Sequence, residues 1–352
     1  MERYYGCDAH KAYSVFTWVN EKGSPGPAFR VENDRLKMRC FLRQLPERSP
    51  IAVESVGNWY WLVEEMEQAG HRPLLTNPGK AKVMMGQINK TDKLDARGLA
   101  VLLRNGTLPK VWIPPGELRD LRELPRMRMA LVRMRTMLKN RIHATWAKYA
   151  IYFNKISDIF GVSGREVMRR RLEELPPQTR HSVEIQLELL DPLEKQIREC
   201  EERMKELIRQ TPEMELLMSL PGVGLILAMV ILLEVGEVDR FPTAGHLACY
   251  AGTLPRVKES GGKRSYGRIR PDVNHNLRWA FIEAANVVVM NQERWADRHV
   301  VQLYRRLRQR KGHGKATVAV ARHLAEATYW MLKKGEPYRP PRKRNTVSST
   351  QG

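Results

Sequence analysis

Five residues, Trp112-Ile113-Pro114-Pro115-Gly116, split the chain into two parts with different hydrophobic rhythms. Proline lacks the N–H that a helix or sheet would use, so paired prolines followed by glycine stop regular structure on both sides. Before the break, β-rich runs alternate with helical ones. Tyr4 to Asp8 and Ser14 to Val19 are strand candidates, followed by a turn at Gly23-Ser24-Pro25-Gly26-Pro27, and together they predict an opening hairpin. Arg35 to Leu45 carries a helical pattern, Pro50 to Glu54 an apolar strand, Trp59 to Ala69 a helix stopped at Gly70, and His71 to Thr76 another strand. From Thr91 a helix runs to Asn105-Gly106. A hairpin followed by βα units predicts an α/β domain with a mixed sheet over residues 1–115.

Residues 116–212 carry almost only helical signals. Leu118, Leu121, Leu124, Met127, Leu131, Met134 and Leu138 recur at three- and four-residue spacings among eight arginines and lysines, including Arg126, Arg133 and Arg141. Val183 to Ile208 repeats Ile185, Leu189, Leu193, Ile197, Met204 and Leu207 on a glutamate-rich background. Two such helices joined by an irregular insert at Tyr152 to Pro177 predict an antiparallel coiled-coil hairpin, with packing on their own domain as the ordinary alternative. Residues 213–345 predict a mainly helical C-terminal domain, and residues 346–352 a polar tail.

Charge then points to a partner. Sixty Lys and Arg against thirty-nine Asp and Glu leave +21 on 352 residues, which argues for a polyanion. Hydrophobic residues at 42% exclude a disordered chain, and aromatics at 7% favour phosphate contact over base stacking. The four cysteines form no CxxC pair, which excludes a zinc ribbon or disulfide framework and suits a reducing cytoplasm. No apolar run approaches the roughly 18 residues of a membrane span, and the start lacks a signal-peptide core. The expectation is a soluble cytoplasmic protein with no membrane partner.

Asp8 ends the first strand and Glu54 a later one, while Asp92 and Asp95 share one face at the start of a helix. Four carboxylates together repel unless cations neutralise them, and oxygen ligands without His or Cys select Mg²⁺, with Mn²⁺ as a substitute. Such ions activate an attacking oxygen and stabilise a leaving one at a phosphate. Each residue alone also has an ordinary role open to it: a strand-end turn for Asp8, a helix N-terminal carboxylate for Asp92, a surface residue for Glu54. Further on, Leu220-Pro221-Gly222-Val223-Gly224 between two helical runs has the pattern of a helix-hairpin-helix. Its Gly222 and Gly224 would let backbone N–H groups approach a DNA phosphate, the alternative being a tight turn between buried helices. The loop Lys258 to Arg270 sets Ser260 beside two glycines among Lys258, Lys263, Arg264, Arg268 and Arg270, the surroundings a phosphate-facing nucleophile needs, though serine in such a loop is also a common turn residue. The stretch Lys333 to Arg344 is a basic, proline-rich arm.

These features, in this order and over nearly the whole chain, resemble the transposases of the insertion-sequence one-ten and eleven-eleven group, the DEDD transposases, studied members of which are bridge-RNA-guided recombinases. The residues that carry the resemblance are Tyr5-Gly6-Cys7-Asp8, Ala52-Val53-Glu54-Ser55, Lys90-Thr91-Asp92-Lys93-Leu94-Asp95-Ala96, Leu220-Pro221-Gly222-Val223-Gly224, Phe241-Pro242-Thr243, Tyr250-Ala251-Gly252, and Ser260-Gly261-Gly262 leading to Asn276-Leu277-Arg278. Where the family has Lys-x-Gly-Asn, this chain has Pro271-Asp272-Val273-Asn274-His275-Asn276. The resemblance implies a RuvC-like, ribonuclease-H-type domain holding Mg²⁺ through Asp8, Glu54, Asp92 and Asp95, then a coiled coil, then a transposase domain. It implies Ser260 as the nucleophile that joins covalently to DNA, with Ser265 as the fallback. It implies donor and target DNA and a structured noncoding guide RNA as partners, and a homo-oligomer, dimer or tetramer, whose protomers share the serine and the acidic site. Association with the nucleoid of a prokaryotic cell would follow. A covalent phosphoserine conserves bond energy without ATP, in keeping with the lack of a GxxxxGK[ST] loop. Two other functions use the same residues: a junction-resolving metal nuclease with water as nucleophile, and a basic nucleic-acid-binding protein without enzymatic activity.

Overall fold

Along Tyr4-Tyr5-Gly6-Cys7-Asp8 the side chains alternate, Tyr5 and Cys7 buried on one side of the strand and Gly6 and Asp8 on the other, as period-two geometry requires. This strand, β1 (Arg3–Ala9), pairs antiparallel with β2 (Tyr13–Asn20), and β2 with β3 (Phe29–Glu32). After α1 (Arg35–Leu42) comes β4 (Pro50–Glu54), parallel to β1; after α2 (Trp59–Gln68) comes β5 (Arg72–Thr76), parallel to β4. Helices α3 (Pro78–Met85) and α4 (Asp92–Arg104) lead to a short β6 (Lys110–Val111), antiparallel to β5. The sheet order is β3-β2-β1-β4-β5-β6, a mixed sheet with helices. One face buries Tyr5, Cys7, Ile51 and Val53 against α1 and α2; Ala52 on the other face packs with Leu99, Leu102 and Leu103 of α4. The opening hairpin and the βα units match the expectation, while β3, α3 and β6 did not stand out. Only Val31 of β3 is buried, and β6 has two residues, so neither carries enough alternation to show.

The computed structural model describes residues 2–86, 91–154, 156–208 and 211–341. They fall in two units, Met1–Gly116 and Glu117–Gly352. Part of the basic arm, residues 342–344, and the tail 346–352 lie outside the described residues.

The second unit follows the short α5 (Gly116–Leu121) with α6 (Glu123–Lys148), which packs on α8 (Pro177–Leu207) as a helical hairpin. The seam on α8 differs from the expected stripe. Val183, Leu187, Leu190, Ile197 and Met204 are buried, whereas Ile185 and Leu189 are 44% and 48% exposed; on α6, Met127 and Met134 are also exposed. The heptad places between the buried residues belong to Glu194 and Glu201, which cross the seam to Lys139 at 3.4 Å and Arg128 at 2.7 Å. Acidic residues inside the seam disguised its phase. The insert expected to be irregular contains α7 (Val162–Arg171), and Phe160, Met168 and Leu172 close the end of the hairpin around Trp146.

The remaining helices, α9 (Pro212–Met218), α10 (Leu225–Val235), α11 (Ala244–Tyr250), α12 (His275–Met290), α13 (His299–Lys311) and α14 (His313–Lys334), enclose a core that includes Val230, Ile231, Phe281, Ala284, Val320 and Leu324. Between α11 and α12, the segment expected to be a loop is a two-stranded ribbon, β7 (Pro255–Ser260) with β8 (Lys263–Ile269). Among the described residues no helix is long and apolar enough to cross a membrane.

Candidate active site

Two strand ends and one helix N-terminus bring the acidic residues together. Because Cys7 lies opposite Val53 in the parallel β1–β4 pair, Asp8 and Glu54 are the next residues on adjacent strands, and alternation sends both toward the face that α4 covers. Thr91 caps α4, its hydroxyl accepting from the Leu94 N–H at 3.3 Å, which starts the helix at Asp92 and puts Asp92 and Asp95 in its first turn. Gly6 sets how closely α4 lies on β1: a Cβ there would be 1.9 Å from the Ala96 carbonyl oxygen and 2.8 Å from the Ala100 nitrogen. Only glycine allows this approach, and the approach holds the aspartates of α4 beside Asp8.

The electrostatics are those of an acidic site short of cations. Burial raises the Asp8 carboxyl above its ordinary value, Asp95 and Asp92 add to the rise, and His10 partly offsets it. The Tyr13 hydroxyl, donating to Asp92 Oδ2 at 2.9 Å, holds Asp92 below its usual value, and His10 adds to that lowering. Burial, with Asp8 and Glu54 nearby, pushes the Cys7 thiol strongly upward, so it is not a candidate nucleophile. Asp8, His10 and Asp92 each offer a ligand atom, and these atoms lie within 4.8 Å of one another. A divalent cation fits this donor set, since it supplies the positive charge that the clustered, half-buried carboxylates lack. His10 corrects the expectation of a site without histidine. The signal was present as Asp-x-His at residues 8 and 10, where the chain leaves β1.

In the second unit, Gly261 and Gly262 have φ of +54° and +73°, as a two-residue type I′ turn requires, and Ser260 and Lys263 face each other across it. Lys258 pairs with Ser265, so Ser260, Lys263, Lys258 and Ser265 share one face of the ribbon, while Glu259, Arg264, Val257 and Tyr266 share the other. Lys258, Lys263, Arg264 and Arg268 are exposed; Arg270 is held by Asp272. On α6, Arg133 and Arg141 are exposed. Arg126 departs from the expected phosphate contact: its guanidinium grips the buried Glu234 at 2.8 and 3.1 Å. Gly222 (φ +83°) packs, since a Cβ there would be 2.2 Å from the Ala284 carbonyl oxygen, which corresponds to the tight-turn alternative; Gly224, at the N-terminus of α10, is exposed with open space beside it.

Two family models match the chain in succession. A transposase model of the DEDD type covers residues 5–151, and the model of the Transposase IS116/IS110/IS902 family covers residues 214–300. The chain belongs to the IS110 transposase family. It is 26% identical over 315 residues to a probable family 20 transposase of Pseudomonas aeruginosa, covering 88% of this chain and 91% of the relative. To the transposase for insertion sequence element IS1111A of Coxiella burnetii it is 26% identical, over 71% of this chain and 69% of the relative. To the transposase for insertion sequence element IS1328 of Yersinia enterocolitica it is 24% identical, over 75% and 78%.

As an IS110-family transposase, the protein is an enzyme that cuts and rejoins DNA, and the family implies DNA binding and a divalent metal. The first model begins at Tyr5 and so spans both strand ends and the start of α4; the second spans the joint at Glu234 and the ribbon. Besides His10, the site residues that did not stand out in the sequence are Tyr13, which orients Asp92, and Asn33 and Asn58, which donate to the His10 carbonyl at 2.6 and 2.8 Å.

Proposed function

We propose that this transposase is an RNA-guided recombinase that exchanges DNA strands through Ser260, with Asp8, Glu54, Asp92 and Asp95 as the divalent-metal site. The observation that carries the proposal is the raised Asp8 carboxyl, with Glu54 at the end of the adjoining central strand and Asp92 and Asp95 in the first turn of α4. Bound there, Mg²⁺ or Mn²⁺ would polarise the target phosphate and neutralise developing charge. Asp8, Glu54, Asp92 and Asp95 supply the oxygens that hold it, and Tyr13 fixes the rotamer of Asp92.

Ser260 supplies the nucleophile from an exposed ribbon tip, where two glycines leave the backbone uncluttered. Its Oγ forms a bond to phosphorus as the bond from phosphorus to the departing strand oxygen breaks; the serine proton leaves to solvent, and the departing oxygen takes one up. Attack by the hydroxyl of a second strand reverses the step and restores the serine, so no nucleotide is consumed. Lys263, opposite Ser260, and Lys258 on the same face offer charge to the phosphate. Arg133, Arg141, Arg264, Arg268 and the backbone at Gly224 serve the DNA and guide-RNA backbones. The guide RNA and the oligomer rest on family resemblance, and base pairing would then do the sequence reading.

Wild type, Ser260→Ala, Ser265→Ala and Asp8→Ala, each given paired DNA ends, Mg²⁺ and the RNA transcribed beside the element, test this. A covalent protein–DNA adduct in wild type and Ser265→Ala, missing from the other two, is the expected result. Cleavage that survives Ser260→Ala but not Asp8→Ala means a water-using nuclease, and DNA left intact throughout means a binding protein. Activity that does not change when the RNA is omitted removes the guide from the proposal.

A further inference from the structure

We propose that His10 is a direct ligand, through Nε2, of the cation held by Asp8 and Asp92, and that its imidazole biases the site toward Mn²⁺ over Mg²⁺. This rests on the metal-site proposal above. Nε2 lies 3.2 Å from Oδ2 of Asp8 and 3.2 Å from Oδ2 of Asp92, so one ion can be shared among the three groups. The nitrogen is shielded from solvent and has no hydrogen-bond partner of good geometry among the described residues, which leaves it available.

The surroundings fix the His10 main chain and place one aromatic ring beside its imidazole. The His10 carbonyl accepts from Asn33 Nδ2 at 2.6 Å and Asn58 Nδ2 at 2.8 Å, and the His10 N–H donates to the Tyr13 carbonyl at 2.9 Å. The Tyr13 ring stands 4.8 Å from the imidazole, its hydroxyl donates to Asp92 Oδ2 at 2.9 Å, and the Arg30 guanidinium lies over it at 3.7 Å. Tyr13 therefore touches both His10 and Asp92. A mere counter-ion to the aspartates would need neither the pinned main chain nor the flanking ring, and a flexible lysine would serve as well; packing that limits where a side chain can sit favours a ligand role. Imidazole suits later divalent ions better than Mg²⁺, which prefers oxygen, whereas Mn²⁺ accepts both donor types.

The test uses the full chain with Mn²⁺ alone, read by electron spin echo spectroscopy for nitrogen coupling and by titration with Mn²⁺ and Mg²⁺. Wild type is expected to show imidazole nitrogen coupling that changes on ¹⁵N-histidine labelling. His10→Ala is expected to lose the coupling and about tenfold or more in Mn²⁺ affinity, with Mg²⁺ affinity within about threefold of wild type. His10→Gln serves if the alanine variant does not fold, and the wild-type spectrum needs no variant. Mn²⁺ that binds in wild type, is lost in Asp8→Asn, and yet shows no nitrogen coupling and no sensitivity to His10→Ala overturns the proposal for His10 and leaves the carboxylate site standing. Mn²⁺ binding that is absent from wild type, or indifferent to Asp8→Asn, overturns the carboxylate site itself and His10 with it.

Discussion

Asp8 and Glu234 are both shielded carboxylates, and their surroundings drive them in opposite directions. Glu234 on α10 is fully buried, yet Arg126 donates to it at 2.8 and 3.1 Å, and Asn274 and Asn276 donate at 2.8 and 3.1 Å. Arg122 stands 3.8 Å away and donates to the carbonyls of Leu233 and Glu234. Burial alone would raise Glu234, but Arg126, Asn274 and Arg122 outweigh it and hold the carboxyl below its ordinary value. Asp8 has only His10 to offset its burial and its two acidic neighbours, and it rises. A carboxylate paired from within the chain is a joint; one crowded by other carboxylates waits for charge from outside. The joint has a place in the function too. Asn274, which donates to Glu234, also caps α12 directly after the ribbon, so Glu234 ties the ribbon's root to α6.

The strongest way to break this comparison is Asp8→Asn. If Asp8 is functional, adduct formation falls by about 10³-fold or more and Mn²⁺ binding is lost, while the melting temperature stays or rises slightly, because a buried repulsion has gone. A variant that melts well below wild type would make Asp8 a structural residue. Glu234→Gln should do the reverse, leaving Mn²⁺ binding intact but removing the buried negative charge that Arg126 and Arg122 face. Breaking a buried pair from one side costs about 3–5 kcal/mol, which lowers the melting temperature by roughly 10 °C. Acid adds a check. Because the folded Glu234 carboxyl is held below its unfolded value, its stabilisation is complete above the ordinary carboxylate range and is lost as pH falls toward the folded value. Chemical denaturation of wild type below about pH 5 should therefore show a loss of stability that is smaller in Glu234→Gln.

The two carboxylates were not equally legible. Asp8 shows in the sequence as an acid at the end of a strand, with Glu54 after the apolar Ile51-Ala52-Val53 as its counterpart. Glu234 lies in Leu232-Leu233-Glu234-Val235, where the sequence shows one acid in an apolar helix and nothing of Arg122, 112 residues before it, or Asn274, 40 residues after it. Its partners are set by tertiary packing. His10 was missed because it sits where the chain leaves β1, outside any periodic element. The ribbon has the sequence of a loop because both of its faces are exposed, so no hydrophobic alternation marks it. The seam of α8 is hard to phase because Glu194 and Glu201 occupy seam positions, where Lys139 and Arg128 on α6, and Arg165 on α7, meet them.

Gly6→Ala comes next in size. The added methyl meets the Ala96 carbonyl, so α4 must move off β1, at a cost of about 1–3 kcal/mol and a fall in melting temperature of several degrees. Asp92 and Asp95 move with α4, so Mn²⁺ binding should weaken about tenfold even though no ligand has changed. Normal binding in a destabilised protein would mean that the aspartates do not depend on this helix contact.

The smallest effect on stability is expected at the ribbon, and it separates a presented residue from an embedded one. Gly261 and Gly262 both take positive φ at the turn, and a side chain added at either meets open space. Alanine there costs only the strain of the left-handed conformation, about 1 kcal/mol, and that cost falls on the ribbon's own pairing. Since all of the ribbon's paired side chains from Val257 to Tyr266 are exposed, loosening it should not move the melting temperature measurably. What should change is the register that sets Ser260 opposite Lys263, and with it adduct formation, by about fivefold to tenfold in the Gly261→Ala, Gly262→Ala double variant, with Mn²⁺ binding as in wild type. Unchanged adduct formation would mean that the DNA, rather than the turn, positions the serine.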